Sequence, residues 1–287
     1  TYERIAVPPE EFARFIAGLP ASGFAGGNVT LPHKEAAFRL VEPGDELSRR
    51  LQAVNTLFLR DGAVRGINTD PEGFLANLRA TIPGWSLVGE RAVVLGAGGA
   101  AAAVVAALAE AGAREIAIAN RTPEKVAALK SHLGGAIRAV AWEDRAESLG
   151  ECALLVNTTS LGMVGQPPLD ISLARLKPSA LVTDIVYVPL KTPLLRAAEA
   201  RGNPVAGGLG MLLHQARRGF ELWFGMKPDV TAELYDLVAD PAESRNLAST
   251  EPAELRRLTG LVLSWHASLP PDRGATYVAA PAGKKKK

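Results

Sequence analysis

The segment that most constrains the fold is VVLGAGGAAAAV, residues 93–104. It places Gly96, Gly98 and Ala101 in the pattern G-x-G-x-x-A, between an apolar run and an alanine-rich run. Glycine permits a tight turn and lets a pyrophosphate approach the backbone, and the small third residue lets a helix pack on a strand. Amides at the helix start would face the phosphates. The segment predicts a dinucleotide-binding turn, although such a turn in an alanine-rich chain could also be coincidence.

The surrounding pattern favours the dinucleotide-binding reading. Short apolar runs alternate with helical segments, which indicates a parallel sheet covered on both faces and a ligand site at its carboxyl edge. The predicted strands are RAVVLG, EIAIANR, IRAVAW, CALLVNTT, ALVTDIVY and PVAGG, and the predicted helices are AAAAVVAALAEAG, TPEKVAALKSHL and PLLRAAEARG. Residues 92–109 are uncharged and long enough for a short membrane span. We disfavour a span because glycines fall where a strand would turn into a helix.

The first part of the chain predicts a separate α/β unit. YERIAV alternates like a strand, and PPEEFARFIAGL and PEGFLANLRAT have helical spacing. LQAVNTLFLRDGAVRGINTD predicts a hairpin around Asp61 and Gly62, a turn-forming pair. Pro83 and Gly84 mark a domain boundary.

The last part of the chain changes in character. GMLLHQARRGFELWFG and DVTAELYDLVA predict helices. From about Asp240 the pattern weakens to one plausible helix, EPAELRRLTGLVLSWHASL, followed by Pro, Gly, Ala and four lysines. We expect the end of the chain to be disordered.

Composition narrows the class of protein. The 32 Lys and Arg residues against 30 Asp and Glu residues give a net charge of +2, so no nucleic-acid footprint is expected. The single cysteine, Cys152, lies in an apolar run and predicts a buried structural thiol in a reducing compartment. The opening TYERIAVPPEEF lacks the pattern of a secretory signal. We therefore expect a cytoplasmic protein without a membrane span.

The second strand of the parallel sheet indicates which dinucleotide binds. An NAD protein would place an Asp or Glu near its end, but this chain has Asn120, Arg121 and Thr122 there. A guanidinium suits a 2′-phosphate, which favours NADP. Alternatively, Arg121 is a solvated loop residue and Thr122 an ordinary helix N-cap.

Two charged residues in the first part of the chain suggest proton transfer. Lys34 ends NVTLPHK and Asp70 ends GINTD, and both segments lie where strands are predicted to end. A carboxylate keeps a partly desolvated lysine charged and oriented. The pair could supply the proton that a ketone needs when a cofactor supplies hydride. The alternative is that Lys34 is a surface charge, as most lysines are.

Taken together, the motifs resemble those of the NADP-dependent shikimate dehydrogenase family. The resemblance covers roughly Thr1 to Val238 and rests on NVTLPHK, AVNTL, GINTDPEGF, VLGAGGAAAAV, ANRT, NTTSLGM, DIVYVPLKTPLL and GGLGMLLHQA. It implies an α/β protein with a Rossmann-type NADP-binding domain and an α/β substrate domain, which catalyses reversible reduction of 3-dehydroshikimate in aromatic amino-acid biosynthesis. The implied domains are residues 1–84 for the first part of the substrate domain, 85–206 for the NADP-binding domain, 207–239 for the returning helices, and 240–287 for an atypical tail.

The resemblance also assigns roles to individual residues. It implies that Lys34 and Asp70 are the catalytic pair and that no metal takes part. Besides Asp70, the implied substrate residues are Thr30, Asn55, Tyr187 and Gln215. The implied cofactor residues are Gly96, Gly98, Gly99, Ala100, Asn120, Arg121, Thr122, Thr158, Ser160, Gly208 and Met211. The implied partners are small molecules, in a monomer or a homodimer.

The chain departs from the family pattern at both ends. Family members usually start with a strand and a loop whose serines hold the substrate carboxylate, whereas this sequence begins beside the following strand, so we expect an incomplete substrate domain. Two alternatives therefore stay open: an NADP-binding protein without turnover, and a relative that uses quinate. ELYDLVADPAESRNLA resembles a segment near the C-terminus of sulfatases, but no sulfatase nucleophile or metal-binding motif accompanies it.

Overall fold

The computed structural model describes residues 2–30, 32–229, 245, 247–254 and 256–258. One compact unit lies within Pro9–Ala232, and a second combines Thr1–Pro8 with Glu233–Lys287. In the second unit, residues 252–254 and 256–258 are helical. The helices and strands named below belong to the first unit.

The larger sheet of the first unit has six parallel strands in the order β10-β9-β8-β5-β6-β7. The central strand β5 has β6 on one side and β8 on the other, so the strand order reverses there, as in doubly wound nucleotide-binding sheets. The strands are β5 (Arg91–Leu95), β6 (Glu115–Asn120), β7 (Ile137–Ala141), β8 (Leu154–Asn157), β9 (Leu181–Asp184) and β10 (Val205–Ala206).

The smaller sheet has four strands in the order β1-β3-β4-β2. Strands β3 and β4 form the predicted hairpin: Arg60 pairs with Ala63, which leaves Asp61 and Gly62 as a two-residue loop. Both loop residues have positive φ, 54° and 75°, as the right-handed twist of a tight hairpin requires. The strands are β1 (Gly26–Asn28), β2 (Glu42–Pro43), β3 (Thr56–Arg60) and β4 (Ala63–Ile67).

Helices connect the strands and cover the sheets. In the larger sheet, consecutive residues of each strand face two different hydrophobic cores. Val94 and Ile118 face one core, and Val93 and Ala119 face the other. This is the pattern expected of a sheet buried on both faces. The helices are α1 (Pro9–Gly18), α2 (Lys34–Leu40), α3 (Glu46–Leu51), α4 (Asp70–Thr81), α5 (Gly99–Glu110), α6 (Pro123–Leu133), α7 (Pro193–Ala200) and α8 (Gly208–Phe224).

The structure confirms most of the predicted elements. The expected strands and helices between residues 91 and 206 are all present, and the apolar run over residues 92–109 divides into β5 and α5. Pro83 and Gly84 lie in the loop between α4 and β5, inside the compact unit Pro9–Ala232, so the domain boundary there stays a prediction. Among the described residues, no helix is both long and apolar enough to cross a membrane.

One strand prediction is wrong, and other predictions lie outside the described residues. Residues 2–7, within YERIAV, form no strand, and Tyr2 and Ile5 are 74% and 46% exposed. Alternation is a local signal, whereas a strand also needs a hydrogen-bonded ladder. The predicted helix DVTAELYDLVA lies outside the description after Asp229, and so do most of EPAELRRLTGLVLSWHASL and the terminal lysines.

Cys152 should be chemically inert in the folded protein. Its side chain is fully buried, and burial raises the pKa of its thiol to about 11, so almost no thiolate exists at neutral pH. We expect no reaction with a disulfide reagent such as Ellman's reagent in the native state and one equivalent of reaction in denaturant. Rapid stoichiometric reaction of the native protein would contradict this assignment.

Candidate active site

Lys34 and Asp70 form a direct ion pair. Lys34 Nζ lies 2.6 Å from Asp70 Oδ2, and the two side chains are 28% and 14% exposed. Each residue is the first of its helix, Lys34 in α2 and Asp70 in α4. A helix N-terminus stabilises a carboxylate and disfavours a cation, so Asp70 suits its position and Lys34 does not. The carboxylate offsets that unfavourable position, which argues against the reading of Lys34 as an ordinary surface charge.

The second oxygen of Asp70 is also bound. Asn55 Nδ2 donates to Asp70 Oδ1 at 2.8 Å and lies 3.2 Å from Gln215 Oε1. Thr69 Oγ1 donates to the same oxygen of Gln215 at 3.0 Å. Four residues implied by the resemblance, Lys34, Asn55, Asp70 and Gln215, therefore meet in one network. With Thr69 they are called the Lys34 cluster below.

Buried threonines fix the orientation of the Asn55 amide. Asn55 Oδ1 accepts hydrogen bonds from Thr56 Oγ1 and from the backbone N–H of Thr69, both at 2.9 Å. Because the amide oxygen is held on that side, the NH2 group must point towards Asp70. Asn55, Thr56 and Thr69 are at most 3% exposed. The sequence assigned no role to Thr56 or Thr69, although the motifs AVNTL and GINTD contain them.

The other two implied substrate residues lie outside this network. Thr30 is exposed, but its backbone adjoins the cluster: Val29 N–H donates to Asn55 O at 2.7 Å, and His33 N–H donates to Thr30 O at 2.9 Å. Tyr187 follows strand β9 and is 41% exposed. Among the described residues, no hydrogen bond joins Tyr187 to the Lys34 cluster.

Close packing of α4 against α8 sets the position of Gln215. A Cβ atom at Gly73 would lie 2.6 Å from Gln215 Cβ and 2.8 Å from Met211 O, so only glycine permits this approach. Asn77, one turn further along α4, donates to Gly207 O at 2.9 Å. The packing of these helices therefore carries Gln215 to the residues at the start of α4.

The glycine-rich turn joins the carboxyl end of β5 to α5. Gly96 is buried with φ of +105°, and a Cβ atom there would lie 2.8 Å from Thr158 Oγ1. Gly98 is the N-cap of α5 and offers no side chain to cap the helix. Gly98 and Gly99 are exposed, and apart from adjacent residues and the backbone of α5 itself no atom lies within 4 Å of the position that a Cβ would take at either residue. The open turn and uncapped helix start fit a pyrophosphate, while buried Ala101 allows the helix to pack.

The end of β6 fits a 2′-phosphate. Asn120 Nδ2 donates to Thr122 O at 2.9 Å, which folds the chain back at this point. Arg121 is exposed and has no ion pair among the described residues. Thr122 occupies the N-cap position of α6, but its side chain makes no capping hydrogen bond. The alternative that Thr122 is an ordinary helix N-cap therefore holds for its position and not for its hydroxyl group. No carboxylate ends β6 to bind a ribose hydroxyl as in an NAD protein.

The remaining implied cofactor residues lie at neighbouring strand ends. Thr158 Oγ1 donates to Leu95 O at 2.7 Å, which ties the segment after β8 to the end of β5, and Ser160 is exposed in the same segment. Gly208 begins α8, where a side chain would clash with Ile185 O. Met211 is half-buried in the first turn of α8. Sequence reasoning missed the buried polar residues behind these segments, which are Asn77, Asn157, Asp184 and Thr192.

The parallel sheet, its open glycine turn and the Lys–Asp pair define a dinucleotide-dependent oxidoreductase that acts on a CH–OH group. Family models give the particular family. Residues 1–57 match the shikimate dehydrogenase substrate binding domain, residues 78–166 match shikimate / quinate 5-dehydrogenase, and residues 208–232 match the shikimate 5′-dehydrogenase C-terminal domain. The chain belongs to the shikimate dehydrogenase family.

Individual relatives agree with the family models. The chain is 57% identical over 234 residues to shikimate dehydrogenase (NADP(+)) of Paramagnetospirillum magneticum, covering 81% of this chain and 85% of the relative. Shikimate 5-dehydrogenase of Thermus thermophilus, solved with NADP(H) and shikimate, superposes with a TM-score of 0.69 at 38% identity and covers 78% of this chain and 81% of its own. Quinate dehydrogenase of Corynebacterium glutamicum, solved with NAD, gives 0.71 at 31% identity and covers 76% and 79%.

Replacing Gly73 by alanine should destabilise the protein, although alanine is the better helix former. The added methyl meets backbone atoms of α8 that cannot yield without moving the helix, and such overpacking costs about 1–3 kcal/mol against a propensity gain of about 1 kcal/mol. We expect a lower melting temperature. Gly18→Ala is the matched control, because its new methyl at the end of α1 has no neighbour within 4 Å. Equal stability of the two variants would contradict the packing argument.

Proposed function

We propose that this protein is an NADP-dependent shikimate dehydrogenase that reversibly reduces 3-dehydroshikimate to shikimate. The observation that carries the proposal is the Lys34 cluster, in which an ammonium, a carboxylate and two amides meet beside one another. The names of close relatives support the choice of substrate and cofactor.

The reaction requires a proton to accompany the hydride that a bound nicotinamide supplies. Lys34 Nζ donates this proton to the developing alkoxide oxygen and receives it back in the oxidative direction. Asp70 holds the ammonium through the 2.6 Å contact and keeps Lys34 from turning into solvent. Asn55 fixes Asp70 in turn, so the donor is oriented before the substrate binds.

Polar side chains around the cluster suit a polyhydroxylated substrate. Asn55 and Gln215 each carry an amide that can both donate and accept, as hydroxyl groups require. We assign the substrate hydroxyls to Thr30, Asn55, Asp70 and Gln215, and we place Tyr187 next to the substrate ring. The assignment of Thr30 is supported by the backbone hydrogen bond that Val29, the residue before it, donates to Asn55 O.

The cofactor assignment follows the strand ends of the larger sheet. Gly96, Gly98, Gly99 and Ala100 hold the pyrophosphate, and Asn120, Arg121 and Thr122 hold the 2′-phosphate. Thr158, Ser160, Gly208 and Met211 line the nicotinamide side. The uncapped start of α5 and the exposed Arg121 guanidinium support these roles.

The proposal extends to the setting of the enzyme. We place it in the cytoplasm as an enzyme of aromatic amino-acid biosynthesis, working on small molecules as a monomer or a homodimer. We assign residues 1–84 and 207–239 to the substrate domain, 85–206 to the cofactor domain, and 240–287 to a tail outside both.

Quinate is a second candidate substrate. The similarity to quinate dehydrogenase of Corynebacterium glutamicum, at 31% identity, favours testing it. Turnover of shikimate and quinate by the same preparation separates the two, and a higher kcat/KM for quinate would replace our substrate assignment.

Lys34→Met and Asp70→Asn should each abolish most of the turnover. Each variant removes one half of the proton-donating pair, and loss of general acid–base catalysis costs about 10²–10⁴-fold in kcat. The measurement is NADPH formation from shikimate and NADP, followed by absorbance. Lys130→Met, at an exposed position of α6, is the matched control and should keep wild-type kcat.

The same assay tests the alternative that this chain binds NADP but does not turn over substrate. Absence of NADPH formation by the wild-type chain, together with a rise in melting temperature on addition of NADP, would identify a cofactor-binding protein and overturn our proposal.

Arg121→Ala should weaken the use of NADP selectively. A charge-assisted hydrogen bond to phosphate contributes about 1.5–3 kcal/mol, so kcat/KM for NADP should fall by about 10- to 100-fold, while kcat/KM for NAD stays the same. Arg114→Ala, an exposed change just before β6, serves as the control. An equal loss with both cofactors would contradict the assignment of Arg121 to the 2′-phosphate.

A further inference from the structure

Asp184 is a fully buried carboxylate at the carboxyl end of β9, outside the Lys34 cluster. It accepts three hydrogen bonds: Asn157 Nδ2 and Val186 N–H donate to Oδ1, each at 3.0 Å, and Thr192 Oγ1 donates to Oδ2 at 2.7 Å. No ion pair reaches it in the described part of the chain, and burial raises the pKa of its carboxyl group. Burying a carboxylate without a paired cation is energetically unfavourable. The hydrogen-bonding partners of Asp184 therefore indicate its role in the structure.

One partner controls the segment after β8. Asn157 is fully buried, its Nδ2 also donates to Leu161 O at 3.1 Å, and its Oδ1 accepts from Thr159 Oγ1 at 2.7 Å. These bonds close the turn that contains Thr158 and Ser160. Asp184 holds the amide of Asn157 in the orientation that both bonds require.

The other two partners control the segment after β9. Val186 N–H and Thr192 Oγ1 bind Asp184 at the two ends of the stretch that carries Tyr187. Thr192 is also the N-cap of α7, where its hydroxyl accepts from Leu195 N–H at 3.4 Å. One carboxylate thus fastens both ends of this stretch and the start of the next helix.

We propose that Asp184 is a positioning residue for hydride transfer, which holds the segments at residues 158–161 and 185–192 in register with each other. This inference rests on the proposed function, in which those two segments carry Thr158, Ser160 and Tyr187. Asp184 touches neither substrate nor cofactor in this account. It acts through Asn157, Val186 and Thr192.

The inference predicts a loss of turnover without a matching loss of cofactor affinity. In the proposed function, affinity for NADP comes mainly from the glycine turn after β5 and from Arg121 after β6. Hydride transfer depends instead on the relative placement of nicotinamide and substrate. A displacement of about 1 Å can cost about 100-fold in rate. Asp184→Asn should therefore lower kcat at least about tenfold and change the Kd of NADP less than about threefold.

Variants of Thr192 test the same contact from its other side. Thr192→Val removes the donor to Asp184 and should reproduce the loss in kcat, whereas Thr192→Ser keeps the hydroxyl and should restore kcat to within about twofold. These variants also test the inference if Asp184→Asn does not fold.

Asn203→Ala is the matched control for stability. Asn203 is 4% exposed, and its Nδ2 donates to Lys177 O at 2.7 Å and to Ala180 O at 3.0 Å, just before the opposite end of β9. Its loss should lower the melting temperature and leave kcat unchanged. If Asn203→Ala lowers kcat as much as Asp184→Asn does, Asp184 is only a stability residue and the inference is overturned.

Amide hydrogen exchange separates failure of this inference from failure of the proposed function. Asp184→Asn or Thr192→Val should accelerate exchange in peptides covering residues 158–161 and 185–192 and leave exchange in β6 and α6 unchanged. This readout needs no turnover, so it applies even if the wild-type chain does not oxidise shikimate. Unchanged exchange in both segments, or wild-type kcat in both variants, would overturn the inference.

Discussion

The contact between Lys34 and Asp70 is the interaction on which the site depends. It joins side chains 36 positions apart, and each residue begins a helix. Backbone pairing brings them together: Asn55 N–H donates to Ile67 O, and Val29 N–H donates to Asn55 O, so the ends of β1, β3 and β4 lie side by side. Any slip in this register would move Asn55 away from Asp70 and leave the carboxylate without its second partner.

In the larger sheet, the residues proposed to bind the cofactor also follow the ends of paired strands. Its parallel strands end at one edge, where the glycine turn, Arg121 and Thr158 follow three different strands. Buried polar side chains then fix the loops at that edge, with Asp184 between the segments after β8 and β9. The two carboxylates have different partners: Asp70 is partly exposed and pairs with the Lys34 ammonium, whereas Asp184 is fully buried and accepts hydrogen bonds from the loops.

The parts of the site that the sequence predicted are those with local signals. Short stretches of sequence are enough to recognise the alternating strands and helices, the G-x-G-x-x-A turn and Arg121. The pairing of Lys34 with Asp70 was implied by the resemblance. The buried polar network had no such signal, because a side chain such as Thr69 or Asn157 becomes a partner only when separate segments pack. The same limit explains the wrong strand at residues 2–7, where alternation was present without a ladder.

A double-mutant cycle on Lys34 and Asp70 tests the central claim most directly. The measurement is kcat for shikimate oxidation by Lys34→Met, Asp70→Asn and the double variant. If the two residues act as one proton-donating unit, the double variant loses no more activity than the worse single variant, because either change already disables the unit. Losses that multiply in the double variant would show that the two residues contribute independently and would contradict the account.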